Sequence, residues 1–354
     1  MTRPPAPARR AAGRLAAAVA TATALTLWSQ APIVAGPPAP GPSCTWRVHP
    51  LPALPGADEN SGNGISGNDG LNTFAGTSAG HAALWRNGRV IDLGPGLAWD
   101  VNRRGEAVGE RPAPGLPRPT LWRDGRTMAL AEPAGATYTR PVAINTAGTV
   151  VGFATFPGTE GEPDPMHPVV WNSLSPNLVR DLGPFHGEKD HVTELTDVTE
   201  DGLLVGIASD WRTLRSRAIV GTTRTGLQIL PLPANTVSTS AQGAAGSFVA
   251  GQRIPAHGGP AQPVLWENGI PRVLTVPDGV TVGVSALAVN RSGTAVGDSL
   301  AGGLVWFHGG DPCPLPATVS GGSATANTVT DSGVLGGVAS DSRGVGTPAL
   351  WTRG

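Results

Sequence analysis

The feature that most constrains this chain is a glycine-punctuated unit that recurs seven times along its 354 residues. Aligned on one glycine per unit, the beats fall at Gly76, Gly109, Gly152, Gly206, Gly251, Gly297 and Gly337, with spacings of 33, 43, 54, 45, 46 and 40 residues. One such unit is too small to bury an apolar face alone, so neighbouring copies must share their cores. The spacing centres on the length of a four-stranded propeller blade. Fifty glycines and 35 prolines would elsewhere suggest low complexity, but here they recur at fixed places and read as turns.

In each unit a hairpin is expected before the aligned glycine. Its turns are Asn102-Arg103-Arg104-Gly105, Asn145-Thr146-Ala147-Gly148 and Asn290-Arg291-Ser292-Gly293, with Thr199 and Thr330 opening two equivalents. Valines on both sides, such as Val101 and Val108 or Val289 and Val296, have strand character. A second hairpin centres on Leu84-Trp85, Leu121-Trp122, Val170-Trp171, Ile219-Val220, Leu265-Trp266, Val305-Trp306 and Leu350-Trp351, with Val220 standing in for tryptophan in the fourth unit. Six of the ten tryptophans share this place, and a large apolar residue that recurs once per unit reads as packing between units. Fourth strands are expected at 89–93, 127–130, 178–182, 227–232 and 272–276.

The last unit stops at Trp351-Thr352-Arg353-Gly354, before its fourth strand. Residues 45–51 resemble the missing segment, so an N-terminal strand is expected to complete the last blade and remove two exposed sheet edges. The predicted fold is therefore all-β, a seven-bladed β-propeller closed by its N-terminal strand. Cys44 and Cys313 fall at the starts of fourth strands in what would be adjacent blades, where a disulfide would lock that closure. The strings His81-Ala82-Ala83-Leu84-Trp85, Arg89-Val90-Ile91-Asp92-Leu93-Gly94 and Ala143-Ile144-Asn145-Thr146-Ala147-Gly148-Thr149-Val150-Val151-Gly152 resemble the HAF-repeat family of bacterial, extracellular repeat proteins. The resemblance covers residues 45–354. It departs from the family in that the histidine recurs only at His81 and His167 and the phenylalanine never. It implies secretion and a propeller-like repeat fold, and no established chemistry.

The N-terminus carries Arg3, Arg9, Arg10 and Arg14, then an uncharged run from Leu15 to Trp28, then Ser29-Gln30-Ala31. This pattern reads as a secretory signal over residues 1–31, with cleavage after Ala31 or Ala35. Residues 32–43 form a Pro/Ala/Gly-rich linker, and 44–354 a single propeller domain. The run is short for a stable membrane span. A formal net charge of -1, with 14% charged residues, leaves no basic stripe for nucleic acid. The chain is read as a secreted monomer.

No motif assembles a coherent catalytic constellation. Gly76-Thr77-Ser78-Ala79-Gly80 matches a nucleophile-elbow string without the strand-to-helix context that chemistry needs. The glycine-rich Gly62–Gly67 string lacks a following helix and reads as a flexible inter-blade loop. The loops between second and third strands, and those between blades, vary in length and share one face of an up-and-down propeller, where binding residues are expected. Trp99, Tyr138, Arg140, Trp211 and Arg212 are candidates to stack on and ion-pair with a glycan or a protein there. Residues 158–201 hold ten of the 26 acids and three of the seven histidines, and His186, Asp190 and His191 are candidate ligands for calcium or zinc. Asp100 and Asp197 occupy one place on the innermost strand of their units, as an acid–base pair or as acceptors for amides of the next blade. The function expected is non-enzymatic binding at the variable-loop face. The alternative is a propeller hydrolase or lyase acting on glycans or lactones.

Overall fold

The computed structural model describes residues 44–57, 62–185, 191–280, 282–299 and 302–354. The expected signal and linker, residues 1–43, lie outside the described residues. The described chain forms seven four-stranded antiparallel sheets arranged as a ring, a β-propeller. Blades 1 to 6 span residues 64–95, 97–129, 138–181, 191–229, 236–273 and 284–314. Blade 7 takes three strands from residues 323–353 and its outermost strand from Trp46–Pro50, which pairs antiparallel with the last strand of the chain. Among the described residues no helix is long and apolar enough to cross a membrane.

Each aligned glycine lies inside a second strand, not at the end of a turn. It pairs with the residue just before a β-bulge in the innermost strand, as in Ala98↔Gly109, Pro141↔Gly152 and Ala241↔Gly251. The bulge recurs in all seven blades. It tips the innermost strand's carbonyl across the pair: a Cβ on Gly152 would lie 1.9 Å from the Arg140 oxygen. Glycine is the residue that tolerates this approach, which explains why one glycine keeps the beat. The outer hairpins turn through Asn87-Gly88, Asp124-Gly125, Asn268-Gly269 and His308-Gly309, each pair with φ between 48° and 77°. Such mirror-image turns match the twist of the paired strands.

Blades are joined by packing and by a repeated hydrogen bond. Trp85, Trp171, Trp266, Trp306 and Trp351 are at most 2% exposed. Their indole N–H groups donate to the carbonyls of Pro52, Ala131, Pro231, Thr275 and Pro316, each just past the fourth strand of the preceding blade, at 2.7–3.0 Å. Burying one such ring is worth roughly 4 to 6 kcal/mol gross, and the bond satisfies the one polar atom it carries inward. On the inner side, Asn102, Asn145 and Asn290 accept amides of their own turns and donate through Nδ2 to the carbonyls of Asn145, Thr199 and Thr330 in the next blade. At the seam, Cys44 and Cys313 form a disulfide, and Trp46 stacks on Phe307, tying blade 7 to blade 6.

Three expectations need correction. Val220 does not stand at the tryptophan position. Register places Val220 where other blades have the preceding aliphatic residue and puts Gly221 in the tryptophan's place, because Gly206 faces Ile219 as Gly251 faces Val264. The Gly62–Gly67 segment is not a loop throughout, since Gly64–Asn68 is the innermost strand of blade 1. Its glycines sit where blades 7 and 2 press close, for a Cβ on Gly64 or Gly67 would lie 2.5 Å from Val338 or Asp100. Fourth strands also end short of their expected limits, at Ala129, Asp181, Ile229 and Val273 in blades 2 to 5.

Candidate functional site

The seven innermost strands enclose a central cavity of about 190 Å³, lined from the bulges to the first-hairpin turns. Asp100 and Asp197 both line it, from blades 2 and 4, at the position directly after the bulge. Asp100 accepts the Ile144 amide at 2.9 Å, and Asp197 accepts the Ala244 amide at 2.7 Å, in each case from the next blade. Burial raises both carboxyls above the ordinary range, Asp197 to about 6 and Asp100 well above its usual value, with the negative charges of Asp197 and Glu200 adding to the rise at Asp100. The geometry makes each acid a clasp between blades. At the mouth of the cavity Arg103 reaches Asp331 at 3.1 Å and Glu200 at 3.8 Å, and Arg291 reaches Asp331 at 3.9 Å.

The opposite, variable-loop end of the innermost strands carries a different assembly. Trp99 occupies the bulge of blade 2, while Tyr138 and Arg140 lie on the innermost strand of blade 3. All three converge on Glu110. The Trp99 indole donates to it at 3.2 Å, the Tyr138 hydroxyl at 2.5 Å, and the Arg140 guanidinium stands 3.6 Å away. Arg140 also lies over the Trp99 ring, 4.1 Å from its centroid. Burial and the adjacent Glu110 carboxylate push the Tyr138 phenol above its usual range, so it stays a donor. Glu194, on the innermost strand of blade 4, completes the group. Burial lifts its carboxyl to about 7 against the opposing pull of Arg140.

Trp99, Tyr138 and Arg140, predicted together, are therefore in contact, and the residue that gathers them was missed. Glu110 follows an aligned glycine, where other blades have Thr77, Phe153, Ile207, Gln252, Asp298 and Val338. A glutamate on an interior strand, directly after the repeat's fixed glycine, is the signal that marks it.

Trp211 and Arg212 form a second group on the same face. Arg212 lies 4.8 Å from the Trp211 ring centroid and 3.5 Å from Glu162, linking the second-to-third-strand loops of blades 4 and 3. His186 and Asp190 lie outside the described residues, and His191 opens the innermost strand of blade 4. Among the described residues, no group of three or more His, Cys, Asp or Glu is placed to hold a metal ion. The recurring histidines act within their own blades. His81 pairs with Asp92 at 2.8 Å and His167 with Asp181 at 3.0 Å, from third strand to fourth. In blade 2, Arg118 stands at the histidine's place and pairs with Glu132, just past the fourth strand.

No family model and no curated protein sequence matches the chain. Seventy-eight chains of solved structures match it. They include a putative TolB from Agrobacterium tumefaciens, with 10% identity and a TM-score of 0.42 over 62% of this chain and 83% of that one. A gluconolactonase from Xanthomonas campestris is 15% identical with a TM-score of 0.40, covering 86% of this chain and 88% of that one. A Hadza microbial sialidase is 10% identical with a TM-score of 0.43, covering 80% and 73%. At these identities and scores the likenesses assign no activity to this chain.

Proposed function

We propose that this chain is an exported, HAF-type repeat propeller that binds a glycan or peptide without transforming it, at the variable-loop face. The observation that carries the reading is the meeting of Trp99, Tyr138, Arg140, Glu110 and Glu194 from three consecutive blades. An aromatic face, a guanidinium with 17% of its side chain exposed and two carboxyls supply stacking, donors and acceptors within one patch. Aromatic and arginine side chains are the ones that most often dominate binding energy. The two acids of the central cavity are each held by backbone amides, which suits fastening the ring better than moving protons.

The test is to probe the purified chain against an array of acidic and neutral glycans, with peptide pools in parallel. Hits are expected to weaken by about tenfold or more in Trp99→Ala and Arg140→Ala, with the folded β-sheet circular dichroism spectrum retained at the assay temperature. Hits indifferent to both substitutions would overturn the placement. Release of product from glycans or lactones would transfer the chain to the hydrolase or lyase reading.

A further inference from the structure

We propose that Arg140 and Glu194 form a binding site for the acetamido group of an N-acetylated amino sugar, its carbonyl accepting from the guanidinium and its N–H donating to the carboxyl. This rests on the reading of the variable-loop face as a binding surface and names the group that the face recognises. The repeat supplies the frame. The residue after an aligned glycine faces, in the next blade, the residue just before the partner of that blade's own aligned glycine. From blade 5 to 6, and from 6 to 7, the step is a polar pair: Ser285 donates to Gln252 at 2.6 Å, and Thr325 donates to Asp298. From blade 7 to 1 it is a steric contact, for a Cβ on Gly64 would lie 2.5 Å from Val338.

From blade 2 to 3 the same step sets Arg140 beside Glu110, 3.6 Å apart. Both Glu110 oxygens are already taken, one by the Tyr138 hydroxyl and the other by the Trp99 indole. Among the described residues nothing accepts a hydrogen bond from the Arg140 side chain, and its Nε is buried without a partner. From blade 3 to 4 the step sets Glu194 opposite Phe153, which has no donor to offer a carboxyl. Arg140 is the one charge that acts on Glu194. An unbonded donor and an unbonded acceptor on neighbouring strands, both half-buried, cost stability and call for a partner from outside. Chemistry narrows that partner. Arg140 and Glu110 already balance one positive against one negative charge, so a charged ligand would bring an uncompensated ion into a half-buried patch. An amide is neutral and carries one acceptor and one donor, one for each unbonded group. Glu194 keeps an oxygen free to accept whether or not it is protonated. The inner edges of the innermost strands line a cavity of only about 190 Å³, too narrow for a peptide to add as a strand. The amide therefore arrives as a side group on a compact body, with Trp99 and Tyr138 beside it as a wall for the sugar ring.

Ligand-observed NMR titration of the full chain with triacetylchitotriose tests the proposal, with cellotriose, the same backbone bearing hydroxyls in place of acetamido groups, as the control. Saturable binding of triacetylchitotriose is expected, with cellotriose about tenfold weaker or more because hydrogen bonds to half-buried groups are lost. Glu194→Leu is expected to weaken triacetylchitotriose by about tenfold while the β-sheet circular dichroism spectrum is retained, whereas Glu194→Gln, which keeps an acceptor oxygen, should stay within about threefold. Unchanged binding in a folded Glu194→Leu chain, or cellotriose binding as tightly as triacetylchitotriose, would overturn the proposal. So would preferential binding of N-acetyl-triglycine amide, which would assign the site to peptide. If triacetylchitotriose does not bind but other glycans or peptides do, and are lost in Trp99→Ala, the acetamido assignment fails and the binding face stands; if no glycan or peptide binds at all, both fail.

Discussion

A Cβ on Gly251 would lie 1.9 Å from the Ser240 carbonyl oxygen, and backbone on both sides leaves nothing flexible to yield. Gly251→Ala is therefore expected to destabilise the chain by about 3 kcal/mol or more, seen as an earlier midpoint in urea unfolding. Titration is the second effect to be argued residue by residue. Burial lifts Asp197 and Asp298 to about 6 and Glu194 to about 7. Between their ordinary values near 4 and these raised values the folded chain holds protons that the unfolded chain has released, so stability falls as pH rises through that window. The carboxyls of Asp92 and Glu106 run the other way. Burial tends to raise them, but hydrogen bonds from Gly94 and His81 to Asp92, and from Asn102 and Arg104 to Glu106, leave both below their usual values. Their contribution is lost as pH drops below about 4. The melting temperature is expected to peak near pH 4 to 5, and in Glu194→Gln the decline toward neutrality should be shallower.

Among elements, the third strand does most to join the ring, because in five of the seven blades it delivers a buried indole whose N–H crosses to the preceding blade. Trp171→Phe keeps most of the ring but leaves the Ala131 carbonyl without its donor at 2.7 Å. A loss of about 1 to 2 kcal/mol is expected by thermal or chemical unfolding. Recurrence alone made the packing role of these tryptophans legible. It misplaced the fourth unit, since Ile219-Val220 looks like Leu265-Trp266 in the string while pairing shows that Ile219 faces Gly206 as Val264 faces Gly251. Strand register depends on which third-strand residue faces the fixed glycine, and that is settled by hydrogen bonds between strands, not by the nearest apolar pair.

At the scale of the whole molecule, closure joins the two ends of the described chain. The disulfide spans a sequence separation of 269 residues, and the outermost strand of blade 7 comes from Trp46–Pro50. Reduction is expected to cost about 2 to 4 kcal/mol, measured as the difference in urea unfolding with and without reductant, because the open chain regains the entropy that the long loop denied it. The ring, its seven blades and the strand that closes it were all legible in the string. Period, turn chemistry and a missing last strand are local signals, and repetition reinforces each of them seven times. The site was legible only in part, for Trp99, Tyr138 and Arg140 were marked as loop-face candidates but Glu110, which gathers them, was not. What the sequence by itself determined is the part of this protein that repeats. What only the tertiary structure decided is where the repeat fails: the acid cluster shared by blades 2, 3 and 4, and the place where Gly221 replaces a tryptophan. Both depend on which side chains of successive blades meet across a gap, and that distance is set by the closed ring.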